Sequence, residues 1–164
     1  MGTWATGPFS NDRAADYALL LDRTAPEARE AVLRRTLSRP ADAVIEDWEE
    51  TVAAAAVVAA QCRGGKPLDT GYSPQSPVPP LPSDLRELAT AALVAVHGSR
   101  SLAESWVSQL SLNRWRTNLT QLYSVLTTAS ARPPQQPPDE NPALRSLQKP
   151  PGPPGPPATG PRHR

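Results

Sequence analysis

The sequence predicts an all-α fold: a small bundle of five or six helices with an ordered N-terminal loop and a disordered, proline-rich C-terminal tail. Two observations support this prediction. Apolar residues recur at helical spacing through the first 130 residues, between helix-capping and helix-stopping residues. Twelve of the 21 prolines follow Ala131. The chain therefore divides into a helical domain, residues 1–130, and a tail, residues 131–164, that cannot bury a core.

The first seventeen residues are the stretch richest in side chains with special geometric roles. Trp4 and Phe9 flank a Gly-Pro turn, and such large apolar side chains are expected to anchor the loop to the core. Asn11 is a preferred N-cap residue before the first helical pattern. Asp12 and Asp16 are four residues apart, so both carboxylates project from one helix face near the positive end of the helix dipole.

This polar cluster allows two interpretations. In the functional one, Asn11, Asp12 and Asp16 bind a divalent cation or a polar ligand. In the structural one, Asn11 or its neighbour Ser10 caps the helix, Asp12 complements the dipole and Asp16 bonds the loop. Metal sites usually need more oxygen ligands than this cluster offers, which favours the structural interpretation. We therefore predict no metal and no cofactor.

The opening residues fit the pattern M-G-x-W-x-x-G-x-F-x-N-D-x-A-x-D. With this pattern the chain resembles a family of bacterial proteins, domain of unknown function 4259, from residue 1 to about residue 128. Ala5 stands where the family commonly has glycine, and Ser10 where it commonly has an acidic residue. The resemblance also implies a glutamate near the position of Ala56. The family has no established activity, so the resemblance supports a fold and implies no function.

The next two helices follow from their end signals. A helix over residues 26–37 begins after an apparent capping box at Thr24, with a proline in its first turn. The central helix spans about residues 42–62 and ends at Gly64 and Gly65. Its first half is acidic, and its second half is almost entirely Ala and Val. A helix that is apolar all round is buried all round, so we expect residues 52–60 to be the hub of the core.

Three more helices complete the predicted domain. One spans about residues 83–97, with Ser83 as its N-cap, and another begins at Ser101. The last is capped by Asn113, and its apolar stripe is either core or a seam for helix pairing. Between the central helix and these three, residues 64–82 form a proline-rich loop that is either mobile or functional. The spacing of Pro77 and Pro80 fits a polyproline ligand, although proline-rich spacers are commoner.

Composition and charge disfavour several classes of function. The domain carries twelve Lys and Arg against fourteen Asp and Glu, and the tail five against two, so neither part is expected to bind nucleic acid. The longest apolar run, residues 52–60, is too short to span a membrane. The single cysteine, Cys62, cannot form an internal disulfide. Without a signal-peptide pattern, we expect a cytoplasmic protein.

The leading functional hypothesis is a non-enzymatic protein-interaction module of the immunity, antitoxin-like or adaptor type. The sequence offers no nucleophile–base pair and no phosphate-binding loop, and His97 fits a helix cap better than a general base. The expected partner is a protein, bound through the N-terminal loop or the acidic start of the central helix; the loop residues concerned are Trp4, Phe9, Asn11, Asp12 and Asp16. The alternative is a small metal-dependent or hydrolase-like enzyme that uses the acidic N-terminal site.

Overall fold

The structure is a computed structural model, and it describes residues 6–68 and 70–129. Trp4 and the predicted tail of residues 131–164 lie outside these ranges. The described residues contain seven α-helices and no β-strand, so the predicted all-α class is confirmed. The helices are α1 (Asp12–Arg23), α2 (Pro26–Leu37), α3 (Ala41–Glu46), α4 (Trp48–Ala60), α5 (Asp84–Gly98), α6 (Arg100–Ser105) and α7 (Gln109–Ala129).

Helix α4 is the hub of the fold, as its composition predicts. Every residue from 51 to 59 is buried, and the helix packs against α1, α2, α5 and α7. Four consecutive alanines, residues 53–56, let these neighbours approach from several sides, because a methyl group keeps two helix axes close together. Buried leucines of the surrounding helices fill the space around these small side chains; they include Leu21, Leu33, Leu93 and Leu119.

The predicted central helix over residues 42–62 is wrong in one respect, since it is divided in two at Asp47. The backbone of Asp47 leaves helical geometry at φ −102° and ψ 40°. Its carboxylate there accepts hydrogen bonds from Arg13 and Arg39. The spacing of apolar residues along one helix does not reveal this break. The ion pairs that accompany the break are formed with side chains on other segments, which that spacing does not describe.

Several predicted caps are also wrong. Thr24 donates its hydroxyl back to the Leu20 carbonyl, and the N-cap of α2 is Ala25, which makes no side-chain cap bond. Ser83 is the N-cap residue of α5, as predicted, although its backbone angles are helical and its side chain makes no cap hydrogen bond. Ser99 caps α6 in place of Ser101. Helix α7 begins at Gln109, so the proposed cap at position 113 lies inside it. Each polar residue near a helix end is a plausible cap in sequence, and the path of the chain selects among them.

Candidate functional site

The predicted N-terminal residues take mainly structural positions. The Asn11 side chain accepts a hydrogen bond of 2.8 Å from the Ala14 N–H and so caps α1. Phe9 is buried in the core cluster, as expected of an anchor. Asp12 lies in the first turn of α1, half-buried, and Asp16 is exposed one turn later. A direct role of these residues in binding stays a prediction.

The acidic start of the central helix is engaged within the protein. Asp47 lies 2.5 Å from the Arg13 guanidinium and 2.8 Å from that of Arg39, and Arg39 also reaches Glu50 at 3.1 Å. All four side chains are partly shielded from solvent. Because two arginines already pair with these carboxylates, the start of α4 is less available to a partner than its sequence indicates.

Arg29 is a structural residue that the sequence analysis did not single out. Its side chain is only 5% exposed. The guanidinium Nε donates to the carbonyls of Leu21 and Thr24 at 2.9 and 3.0 Å, and another nitrogen donates to the Pro77 carbonyl. One side chain thus joins the end of α1, helix α2 and the proline-rich loop. Its position four residues before Leu33, on the buried face of α2, is the signal that could have revealed it.

The proline-rich loop is fastened to the domain through its backbone. The Asp22 carboxylate accepts hydrogen bonds from the N–H groups of Gln75 and Ser76 at 3.0 and 2.8 Å. The Gln61 amide donates to the carbonyls of Val78 and Pro79 and accepts from the N–H of Leu81. A polyproline ligand presents its carbonyls to a partner, and several of these carbonyls already have acceptor roles here.

The Asp22 carboxyl shows the electrostatic effect of this contact. Burial acts to raise its pKa, but the two backbone N–H groups of Gln75 and Ser76 outweigh burial, so the pKa falls below its ordinary value of 3.8. The ionised carboxylate is therefore the form that holds the loop.

A cavity of about 630 Å³ lies at the C-terminal end of α4. Its walls come from four segments: the N-terminal loop with Phe9, the α4 face with Ala56 and Ala59, the loop after Gly64, and α7 with Leu122. The cavity exists because α4 presents only methyl groups there. Its volume falls within the range of about 300–1,000 Å³ typical of small-molecule sites.

The glycines beside this cavity set the path of its loop. Gly64 has φ +83°, in the left-handed region that favours glycine. A Cβ at Gly65 would lie 1.9 Å from the Ala59 carbonyl oxygen, so only glycine allows the chain to pass this close to α4. On the other side, the Asn118 amide donates to the Thr6 carbonyl at 2.6 Å and fixes the N-terminal loop against α7. Two walls of the cavity are therefore held by specific local geometry.

A second, shallower groove of about 320 Å³ lies between α5 and α7. Leu93 and Leu119 form its floor, and His97 lies at one end. Val94 and Tyr123 border it and are 56% and 42% exposed. Large, partly exposed side chains therefore border this groove, whereas the surfaces of α2 and α3 are charged.

At the opposite end of α4, three tryptophans pack together. The ring of Trp115 lies 5.4 Å from the rings of both Trp48 and Trp106, edge-on to the first and tilted against the second. Trp115 is 3% exposed. Such offset and edge-on aromatic pairs stabilise a core beyond their buried area. The three rings contact one another, and they join α4, α7 and the segment before α7.

Two groups with nucleophilic or acid–base chemistry, Tyr17 and Cys62, have raised pKa values. Burial raises the pKa of the Tyr17 hydroxyl to about 12, and burial also raises the pKa of the Cys62 thiol. Both groups are therefore protonated at neutral pH, whereas a reactive cysteine needs its thiolate form. Within residues 6–68 and 70–129, no three His, Cys, Asp or Glu side chains converge on a point where a metal ion would be held.

The described residues thus form a small helical protein that has an apolar cavity at the end of α4 and an apolar groove between α5 and α7. The chain belongs to the family Domain of unknown function (DUF4259), whose model matches residues 2–118. Searches of curated proteins and of solved structures gave no match. Among the described helices, none combines the length and apolarity needed to cross a bilayer.

Proposed function

We propose that this protein is a non-enzymatic interaction module that binds a partner protein through the groove between α5 and α7. The observation that carries the proposal is the pair Val94 and Tyr123, two large side chains that are 56% and 42% exposed at the border of an apolar groove. Tyrosine is enriched at the centres of protein interfaces, because its ring supplies contact area and its hydroxyl a hydrogen bond. Immunity, antitoxin and adaptor proteins act by this kind of binding.

The shape of the groove supports a protein partner over a small metabolite. The floor residues Leu93 and Leu119 are buried, so the groove is apolar at its base, and it lies open between two adjacent helices. A partner helix can lay apolar side chains, spaced three and four residues apart, into a groove of this kind. His97 and Thr120 at the border supply hydrogen-bonding groups for the rim of such an interface.

Site-specific photocrosslinking in cells that naturally produce the protein tests this proposal. A photoreactive amino acid at position 123 should give one discrete protein adduct. The same residue at position 127, which is exposed one turn further along α7 and lies outside the groove, should give none. Val94→Asp should abolish the adduct from position 123 without changing the melting temperature, because the added charge lies on the surface.

Other results of these experiments would contradict the proposal. No adduct at position 123, or identical adducts at 123 and 127, would exclude the groove as the interface. A third probe at Leu20, exposed on the α1 face that also carries Asp16, distinguishes the predicted N-terminal surface. An adduct from Leu20 alone would place the interface there. Substrate turnover by the purified protein that is lost in Asp12→Ala would overturn the non-enzymatic proposal and favour the acidic N-terminal enzyme.

A further inference from the structure

The cavity at the C-terminal end of α4 has an unequal distribution of charge. Its interior is formed by aliphatic and aromatic groups, including Phe9, Ala56, Leu122 and Val125. Among the described residues that line it, Lys66 is the only charged one. The cavity thus offers an apolar interior with a single positive charge.

Lys66 has only a weak partner within the protein. Its ammonium nitrogen lies 3.4 Å from the Gln121 amide oxygen, a neutral acceptor at the long limit of a hydrogen bond. The side chain is exposed, and no described carboxylate lies within ion-pairing distance of it. Three arginines of the domain differ from Lys66 in this respect, since Arg13, Arg34 and Arg39 each pair with a carboxylate. Within the part of the chain that the structure describes, the charge beside the cavity therefore has no ionic partner.

The position of this charge is determined by the surrounding chain. Lys66 directly follows the two glycines whose geometry brings the loop against α4. Gln121 and Ser124 of α7 line the same cavity and add hydrogen-bonding groups to it, and the Gln121 amide oxygen lies 3.4 Å from the ammonium nitrogen. A ligand's anionic group would meet a cation and neutral donors, while its apolar part would be removed from water.

We propose that this cavity binds an amphipathic anion, a carboxylate on an aliphatic chain, with the carboxylate at Lys66 and the chain in the cavity. Aliphatic burial supplies most of the affinity, since it scales with the apolar area removed from water. The exposed charge supplies selectivity between anionic, neutral and cationic head groups. This site is separate from the groove between α5 and α7, so it does not depend on the proposed protein partner.

Titration calorimetry on the full-length chain with three ten-carbon probes tests the proposal. Decanoate should bind saturably and more tightly than decan-1-ol, and decylammonium should bind most weakly. Lys66→Gln should weaken decanoate binding by about fivefold, the effect of one exposed ion pair, and leave decan-1-ol unchanged. Lys66→Glu should reverse the order of decanoate and decylammonium.

A pair of tryptophan substitutions on α7 locates the site. Ser124 lines the cavity and is exposed, so Ser124→Trp should block binding of all three probes while the helix content stays constant. Thr127 is also exposed and lies outside the cavity, so Thr127→Trp should bind like the unmodified chain. Equal weakening by both substitutions would overturn the proposed location.

Two further results would overturn the proposal itself. One is an unchanged order of affinities in Lys66→Glu, which would show that Lys66 does not select the head group. The other is decanoate binding that occurs only in Trp4→Ala, which would make the chain's own N-terminal segment the occupant. Failure of all three probes to bind at millimolar concentration would also reject the site, and it would leave the crosslinking result at position 123 unaffected.

Discussion

The side chains around the two ends of α4 pack differently. At its start, Trp48 packs against Trp106 and Trp115, and Asp47 and Glu50 pair with arginines. At its end, alanines face the chain after Gly64; further along, Gln61 and Arg29 donate hydrogen bonds to carbonyls of the proline-rich loop, and the Asp22 carboxylate accepts one from its backbone. The first end is filled by large rings and ion pairs, and the second keeps a cavity of about 630 Å³.

This difference shows how side-chain volume divides one helix into a stabilising half and a half that is open to ligands. Large aromatic rings fill the space between α4 and α7 where the two helices carry tryptophan. Methyl groups leave space where the facing partner is the loop after Gly64, whose close approach to α4 requires glycine at position 65. Interiors are otherwise close-packed, so a cavity of this size marks a position where packing is not optimised for stability.

The largest expected effect is at the filled end. Trp115→Ala should lower the free energy of unfolding by about 4 kcal/mol, because it removes a buried ring that contacts two others. Leu122→Ala, a truncation beside the cavity, should cost about half as much, since that side chain is only half-buried. Urea unfolding monitored by circular dichroism measures both values. Equal losses would show that the two ends contribute alike.

Arg29 tests how the open end is held. Arg29→Met should lower the free energy of unfolding by about 3 kcal/mol, because it leaves the carbonyls of Leu21, Thr24 and Pro77 without this donor. Hydrogen exchange at Gln75 and Ser76 should become faster as the loop loosens. The control is Arg34→Met on the same helix, which removes only solvent-screened ion pairs and should cost much less than Arg29→Met. Similar losses in the two variants would show that Arg29 has no special role.

Two alanines of α4 compare the packed centre with the cavity directly. Ala54→Val should destabilise by about 2 kcal/mol, because Ala54 is fully buried among neighbouring helices and has no space for two more methyl groups. Ala56→Val should change stability by less than about 0.5 kcal/mol, since Ala56 borders the cavity. The helix propensity of valine applies to both and cancels in the comparison. Thermal melting of the two variants gives the difference, and equal melting temperatures would mean that the cavity does not accept added volume.

The smallest expected effect concerns pH and the loop. The pKa of Asp22 is lowered in the folded state, so its contribution to stability is fully present above the ordinary value of 3.8 and is lost as the pH falls through the lower folded value. Between pH 6 and pH 3, Asp22→Asn should therefore lose less stability than the unmodified chain, by about 0.5 kcal/mol. Urea midpoints at several pH values measure the two curves. Parallel curves would show that this carboxylate does not hold the loop through its charge.

The fold followed from the sequence more completely than the surfaces did. Helix α2 has the predicted bounds, and the buried stretch of α4 is the predicted hub. The apolar stripe of α7 is core at Leu112, Trp115, Leu119 and Leu126. These features depend on local periodicity and on proline and glycine, which act within one or two helical turns.

The candidate sites were largely beyond prediction from sequence. Phe9 was identified and does line the cavity, but Lys66, Ala56 and Leu122 come from three other segments that meet only in the folded chain. The groove depends likewise on α5 and α7 lying side by side. Neither set of residues forms a motif, because the members are distant in sequence and each is an ordinary residue for its own helix or loop.

The sequence alone determined that this chain forms helices, that α2 spans residues 26–37, and that residues 52–59 of the central helix are buried. Hydrophobic periodicity and backbone preferences depend on residues within one or two helical turns, so consecutive residues of the sequence are enough to indicate them. Only the tertiary structure decided that Arg29 joins three segments, that Asp47 interrupts the central helix, and that alanines leave a cavity beside Lys66. Those outcomes depend on distances between residues far apart in the chain, which packing of the whole domain sets.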